Sequence, residues 1–193
     1  MYKPLILVSV SIISVQIYAG QITGTVEVQG KETSGYAVVY IEKSEGIRVT
    51  PPESQPVLDQ RDLQFIPHVL PVMVGTTVRF RNSDDVAHNI FTPSPAGDMF
   101  NLGTWKGDQV KTHTFDTPGE VMLLCNLHPE MEGYIYIVPT PFFARTDANG
   151  HFTIKDVLEG KYTLKVWSEH GNARPRTVNV PAEGKVTADF TIQ

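Results

Sequence analysis

The sequence predicts an all-β protein made of two small sandwiches, and three observations carry that prediction. Apolar and polar residues alternate at period two through segments rich in Val, Ile, Thr and aromatic side chains. Turn signals at Gly75, Asn82 to Asp85, Pro93 to Pro95, Pro118-Gly119 and Asn149-Gly150 recur too often to leave room for long helices. Two proline-rich breaks, Pro51-Pro52 with Pro56 and then Pro139-Thr140-Pro141, divide the chain.

The first twenty residues stand apart from this pattern. Met1-Tyr2-Lys3 precedes an uncharged, mostly apolar run from Pro4 to Tyr18 that ends in Ala19-Gly20, which reads as a signal peptide over residues 1–19. The run is short for a membrane span and no second one follows, so the mature chain is expected in the periplasm without a membrane anchor. Removing the leader takes away Lys3 and no acidic residue, which moves the formal charge from −5 to −6. An acidic balance of that kind argues against a nucleic-acid partner.

After the leader, Ile22 to Val28 and Tyr36 to Ile41 read as strands around a turn at Gly30, and residues 44–58 as a linker or long loop. Val72, Val74, Val78 and Phe80 alternate around Gly75-Thr76, with Arg79 and Arg81 on the opposite, wet face. Val121, Leu123 and Cys125 share one face while Met122 and Leu124 take the other, as expected of a central strand covered on both sides. Beyond the second seam, short strands are expected near His151 to Ile154, Tyr162 to Trp167, Arg176 to Val180 and Thr187 to Ile192. That stretch is too short to bury a core alone. Joining 21–43 to 141–193 completes a discontinuous sandwich, with residues 58–140 inserted as a separate unit. The rival division gives 21–140 to one domain and leaves 141–193 as a tail.

Cys125 is the only cysteine of the chain. In an exported protein a lone thiol calls for an intermolecular disulfide, an inert buried thiol or a metal thiolate. A lipid anchor on a cysteine next to the leader and a dinuclear copper centre bridged by two cysteines are both excluded by the count. In Cys125-Asn126-Leu127-His128-Pro129-Glu130-Met131-Glu132-Gly133 a thiolate, an imidazole and a thioether fall on one loop between two apolar strands. Soft sulfur with imidazole suits copper, and two His with one Cys and a weak axial Met is the blue-copper set. The second imidazole is assigned to His88, at the end of the strand through Phe80 and 37 positions before Cys125.

These residues resemble the cupredoxins. Val72-x-Val74-Gly75-Thr76-x-Val78-x-Phe80-x-Asn82-x-Asp84 leads to His88-Asn89, and Thr114-Phe115-x-x-Pro118-Gly119 leads to Cys125-x-x-His128-x-x-Met131. The resemblance covers about residues 68 to 138 and is nearest to the plastocyanin- and amicyanin-like members and to bacterial methylamine-utilisation-type proteins. It implies a Greek-key cupredoxin β-sandwich binding one copper through His88, Cys125, His128 and Met131, with Asn89 bracing the loop around the sulfur. It also implies a non-enzymatic periplasmic electron carrier whose partners are redox proteins, a dehydrogenase or a cytochrome. Copper delivery or storage by the same residues, and a structural or surface-binding β-protein, stand as alternatives.

The flanks carry a second resemblance. Gly24-Thr25-Val26, Ala37-Val38-Val39-Tyr40, Thr146-Asp147-x-x-Gly150-x-Phe152 and Gly160-x-Tyr162-x-Leu164-x-Val166 look like the carboxypeptidase-regulatory, transthyretin-like sandwich, which implies a second small β-sandwich module without chemistry of its own. A cysteine hydrolase lacks an orienting residue beside the Cys-His pair. A structural zinc site lacks its usual CxxC pairs. His68, His113, His151 and His170 show no ligand spacing, and Trp105, Trp167, Tyr134 and Tyr136 read as core. Glu130 and Glu132 flank the loop and favour a basic partner surface if exposed.

Overall fold

The computed structural model describes residues 19–31, 36–43 and 50–193. The leader before Ala19 and residues 44–49 of the expected linker lie outside the described residues. The chain is all-β. Strands β1 (Gly20–Val28) and β2 (Ala37–Ile41) come first. A central run follows: β3 (Val57–Arg61), β4 (Gln64–Ile66), β5 (Val69–Met73), β6 (Thr76–Asn82), β7 (His88–Phe91), β8 (Asn101–Trp105), β9 (Lys111–Phe115), β10 (Gly119–Leu124) and β11 (Glu132–Val138). The last stretch holds β12 (Phe143–Arg145), β13 (His151–Val157), β14 (Gly160–Ser168), β15 (Gly171–Val180), β16 (Lys185–Thr187) and β17 (Phe190–Ile192).

Pairing sorts these strands into four sheets. The first two strands pair with the last six. β1 lies between β13 and β16 and also pairs β17, while β2 lies between β12 and β14, with β15 outside. The central strands form a five-stranded sheet, β5-β11-β10-β7-β8, and a four-stranded one, β4-β3-β6-β9. The stretch Thr187 to Ile192, expected as one strand, divides into two. Ala188 N–H donates to the Thr23 carbonyl, and the Asp189 carboxylate accepts from the Thr25 amide and hydroxyl. These bonds carry the chain from β16 to β17 along the same edge of β1.

The sheets enclose three buried layers, and period-two alternation decides which side chain enters which. Ile22, Val26, Val39, Ile41, Phe152, Ile154, Leu164, Val166 and Phe190 fill the layer between the β1 sheet and the β2 sheet. Val72, Val78, Phe80, Phe115, Val121, Leu123, Ile135 and Ile137 fill the central sandwich. The third layer lies between these sandwiches. Every residue of β2 is buried, because Val38 and Tyr40 point away from Val39 and Ile41, toward Val69, Met73, Tyr134, Val138 and Trp167. β10 is two-faced as expected, with Val121 and Leu123 in the central core and Met122 packed against the third layer. Strands such as β6 stay one-sided, with Val78 and Phe80 buried and Arg79 and Arg81 exposed.

Polar bonds pin the third layer at its edges. The Trp167 indole N–H donates to Glu120 Oε2 at 2.8 Å, and the hydroxyls of Tyr40 and Tyr136 meet at 3.1 Å. Arg145 donates to the Val69 carbonyl, and His68 Nε2 pairs with Glu169 at 3.1 Å. Trp167 stacks on Tyr136 with ring centroids 4.7 Å apart. Buried indoles of this kind dominate the energetics of a layer. Trp167→Ala is therefore expected to lower stability by about 3–5 kcal/mol, read as a shift of the urea midpoint at unchanged slope.

His113 has a different fate from the other histidines. Its ring lies 4.4 Å from that of Phe100 and 4.9 Å from that of Phe115, and its Nε2 is buried without a protein partner. Burial holds its pKa below the ordinary histidine value, with Asp98 and Asp116 pulling weakly the other way. The unfolded chain thus binds a proton here more readily than the native state, so stability contributed by His113 is complete above the unfolded value and falls as pH drops below it. His113→Phe is expected to flatten the decline of melting temperature between about pH 7 and pH 5; an unchanged slope in matched thermal scans contradicts this.

Candidate metal centre

The site is built by strand register. β10 runs antiparallel to β7, with Leu124 opposite Phe91, and continuing that register past the strand end brings the chain after Cys125 alongside His88-Asn89. β10 also pairs β11 from Gly119↔Ile137 to Leu124↔Glu132, so residues 125–131 form the connection of a hairpin. The loop is tightened by a bond from Met131 N–H to the His128 carbonyl at 3.0 Å. Just beyond it, Gly133 passes so close to the chain that a Cβ there would lie 2.8 Å from Phe65 Cβ.

Three donor atoms converge at this end of the sandwich. His88 Nδ1 and His128 Nδ1 are 2.9 Å apart, and Cys125 Sγ is 4.0 Å from the first and 3.9 Å from the second. Among the described residues this is the one group of three or more His, Cys, Asp or Glu side chains whose donors converge closely enough for a metal ion. His88 is fully buried and Cys125 nearly so, while His128 is half-buried. Met131 is 1 % exposed and packs in the same core as Cys125. Cys125 is a free thiol.

The donor set can be tested for a metal on geometry alone. A point equidistant from the three atoms lies about 2.1 Å from each, inside the roughly 2.0–2.3 Å span of nitrogen and thiolate bonds to a metal. Proton bookkeeping agrees. His88 Nε2 is 2.8 Å from Asp84 Oδ2, and an ionised carboxylate only accepts, so the ring proton sits on Nε2 and the Nδ1 lone pair is free. Burial pulls the Asp84 pKa upward, but hydrogen bonds from His88 and from the Leu63 and Asp62 amides together outweigh it and hold the carboxyl below its ordinary value.

Asn89 ties the two halves of the site together. Its Oδ1 accepts from Asn126 N–H at 2.7 Å, and its Nδ2 donates to Asn101 Oδ1 at 3.2 Å. Asn101 also accepts from the Gly103 amide. Spacing singled out His88, Cys125, His128 and Met131 and the family resemblance added Asn89, whereas Asp84 stood in the motif without a role and Asn101 was not singled out. Asp84 lies four residues before His88 in an irregular turn, so period two says nothing of it; Asn101 is reached only across the β7–β8 pair. The remaining histidines lie elsewhere: His68 pairs with Glu169, His151 lies 3.6 Å from Asp147, and His170 faces Lys31. Trp105 is buried opposite His88 in the β7–β8 pair.

Asn89→Ala leaves the Asn126 N–H without its protein acceptor. It is expected to cost about 1–3 kcal/mol of stability in the metal-free protein, measured by urea denaturation against Asn89→Asp, which retains an acceptor oxygen.

Several known proteins are similar to parts of this chain. Over 107 residues, 53% of this chain, the sequence is 28% identical to the methylamine utilization protein MauL of Methylophilus methylotrophus. The match spans 62% of that relative's length. Residues 140–188 match the family described as polysaccharide lyase family 4, domain II. Among solved structures, a reduced mutant form of amicyanin aligns with 45% of this chain and 84% of its own at 24% identity, TM-score 0.42. A purple cupredoxin from Nitrosopumilus maritimus aligns with 43% and 99% at 24% identity, TM-score 0.40. A copper-containing nitrite reductase from Thermus scotoductus aligns with 50% and 25% at 26% identity, TM-score 0.42. Segments of the chain are thus similar to MauL, to amicyanin and to a purple cupredoxin.

Proposed function

We propose that this cupredoxin-like chain would hold one copper ion through His88, Cys125 and His128, with Met131 as a fourth ligand, and carry single electrons between redox proteins in the periplasm. The observation that carries the reading is the convergence of two imidazole nitrogens and the only thiol of the chain around a point about 2.1 Å from each. Soft and borderline donors in that combination select copper over the hard divalent ions. Bound copper supplies a one-electron couple. The protein's part is to hold the ligands still: His88 by its bond to Asp84, the loop by Asn89, and Met131 by burial. A site fixed from two strands and a short loop changes little between oxidation states, which favours rapid exchange.

His128 is the least buried of the three donors, and Leu127 beside it is 50% exposed. A partner therefore approaches at the loop, where Glu130 and Glu132 are exposed and favour a basic surface. The copper unit is residues 58–140, set between the segments 21–43 and 141–193 of the flanking sandwich. The apolar leader over 1–19 supports export, and no helix among the described residues is long and apolar enough to cross a membrane.

Loading the purified mature protein with Cu(II) is expected to give one ion per chain and an intense visible thiolate-to-copper absorption, absent in Cys125→Ala. A colourless protein at full loading refutes the assignment. Rapid self-exchange in the loaded protein separates electron carriage from delivery or storage, for which slow exchange with transfer of the metal to an apo-acceptor is expected.

A further inference from the structure

Three donors hold the Asp84 carboxylate. Its Oδ2 accepts from His88 Nε2 at 2.8 Å and from the Leu63 amide at 3.1 Å, and its Oδ1 accepts from the Asp62 amide at 2.7 Å. Only 13% of the side chain is exposed. Asp62 and Leu63 are the two residues between β3 and β4, and both adopt the left-handed conformation, φ 55° and 57°. A two-residue hairpin turn with φ positive at both positions normally uses Asn-Gly or Asp-Gly, and a leucine there is strained. The strained turn aims two successive N–H groups at one carboxylate. The Asp84 segment is braced as well, because Asn82 accepts from the Asp84 amide and donates to the Val86 and Trp105 carbonyls.

The turn joins β3 to β4, in the opposite sheet of the sandwich from β7, so the polar link between the four-stranded sheet and the His88 ring runs, among the described residues, through Asp84. We propose that Asp84, anchored by the β3–β4 turn, is a positioning residue for His88: it fixes the ring proton on Nε2 and sets a negative charge behind the ligand that weights the bound ion toward Cu(II). This rests on the copper reading above. Carboxylates behind metal-binding imidazoles orient the ring and raise its basicity, and a fixed negative charge favours the more positive oxidation state.

The test is a redox titration of copper-loaded full-length mature protein, wild type beside Asp84→Asn, Asp84→Ala and Asp85→Asn. It is paired with long-range proton–nitrogen spectra of the metal-free protein, which read the His88 tautomer directly. Asp84→Asn keeps an acceptor oxygen and removes the charge, so it is expected to retain the visible absorption and move the Cu(II)/Cu(I) equilibrium about tenfold toward Cu(I), about 59 mV for one electron. Asp85 is exposed and adjacent; its substitution removes the same charge and is expected to move the equilibrium less than about twofold, since exposed charges are screened. In the wild-type spectra the His88 proton is expected on Nε2. Asp84→Ala is expected to lose that tautomer preference; if it does not fold, Asp84→Asn and the wild-type spectra decide. An Asp84→Asn equilibrium within twofold of wild type, an equal shift in Asp85→Asn, or a wild-type His88 proton on Nδ1 overturns the proposal. Wild-type protein that takes up no copper removes the copper reading and the charge effect with it, whereas the tautomer spectra still decide the positioning role.

Discussion

The pairing of β10 with β7 on one side and β11 on the other is the constraint from which the site follows. Antiparallel hydrogen bonding fixes Leu124 opposite both Phe91 and Glu132, so the chain leaving β10 at Cys125 must turn beside the start of β7 and return within a few residues into β11. A thiol at the strand end, an imidazole at the start of the neighbouring strand and a second imidazole on the connecting loop are then forced to one end of the sandwich. Backbone register sets their approach, and the buried Asn89 and Met131 remove the freedom that remains.

That register needs a sheet with both faces covered. The five-stranded sheet presents Val121, Leu123, Ile135 and Ile137 to the central core and Val69, Met73, Tyr134 and Val138 to the flanking sandwich. Left to water, the second face would be an apolar and aromatic patch. The flanking strands β2, β12 and β14 bury it, and the Trp167–Tyr136 stack with the Glu120 bond fixes their placement. The sandwich that contributes no donor to the cluster thus supports the sheet that carries the site.

Burying His88 has its own cost. A fully buried imidazole with one nitrogen among other donors needs a partner for the second, and the fold supplies a carboxylate that also accepts from two backbone amides. Those amides come from a turn that accepts backbone strain at a leucine. Strain here is local and coincides with the buried polar group it serves, the pattern expected where a structure trades local energy for a fixed geometry.

The sequence by itself determined the fold class, because period-two burial is written into β1, β6 and β10 and punctuated by glycine and proline. It also put Cys125, His128 and Met131 on one loop, since loop spacing is a property of adjacent residues. What it left open depended on contacts between distant segments. The direction of Val38 and Tyr40 into a third buried layer, the division of Thr187 to Ile192 at Asp189, and the role of Trp167 all follow from how sheets stack, which alternation does not encode. Asp84 belongs to the same class. Its meaning lies in two amides about twenty residues earlier, and only the tertiary structure brings that turn, the carboxylate and His88 within hydrogen-bonding distance.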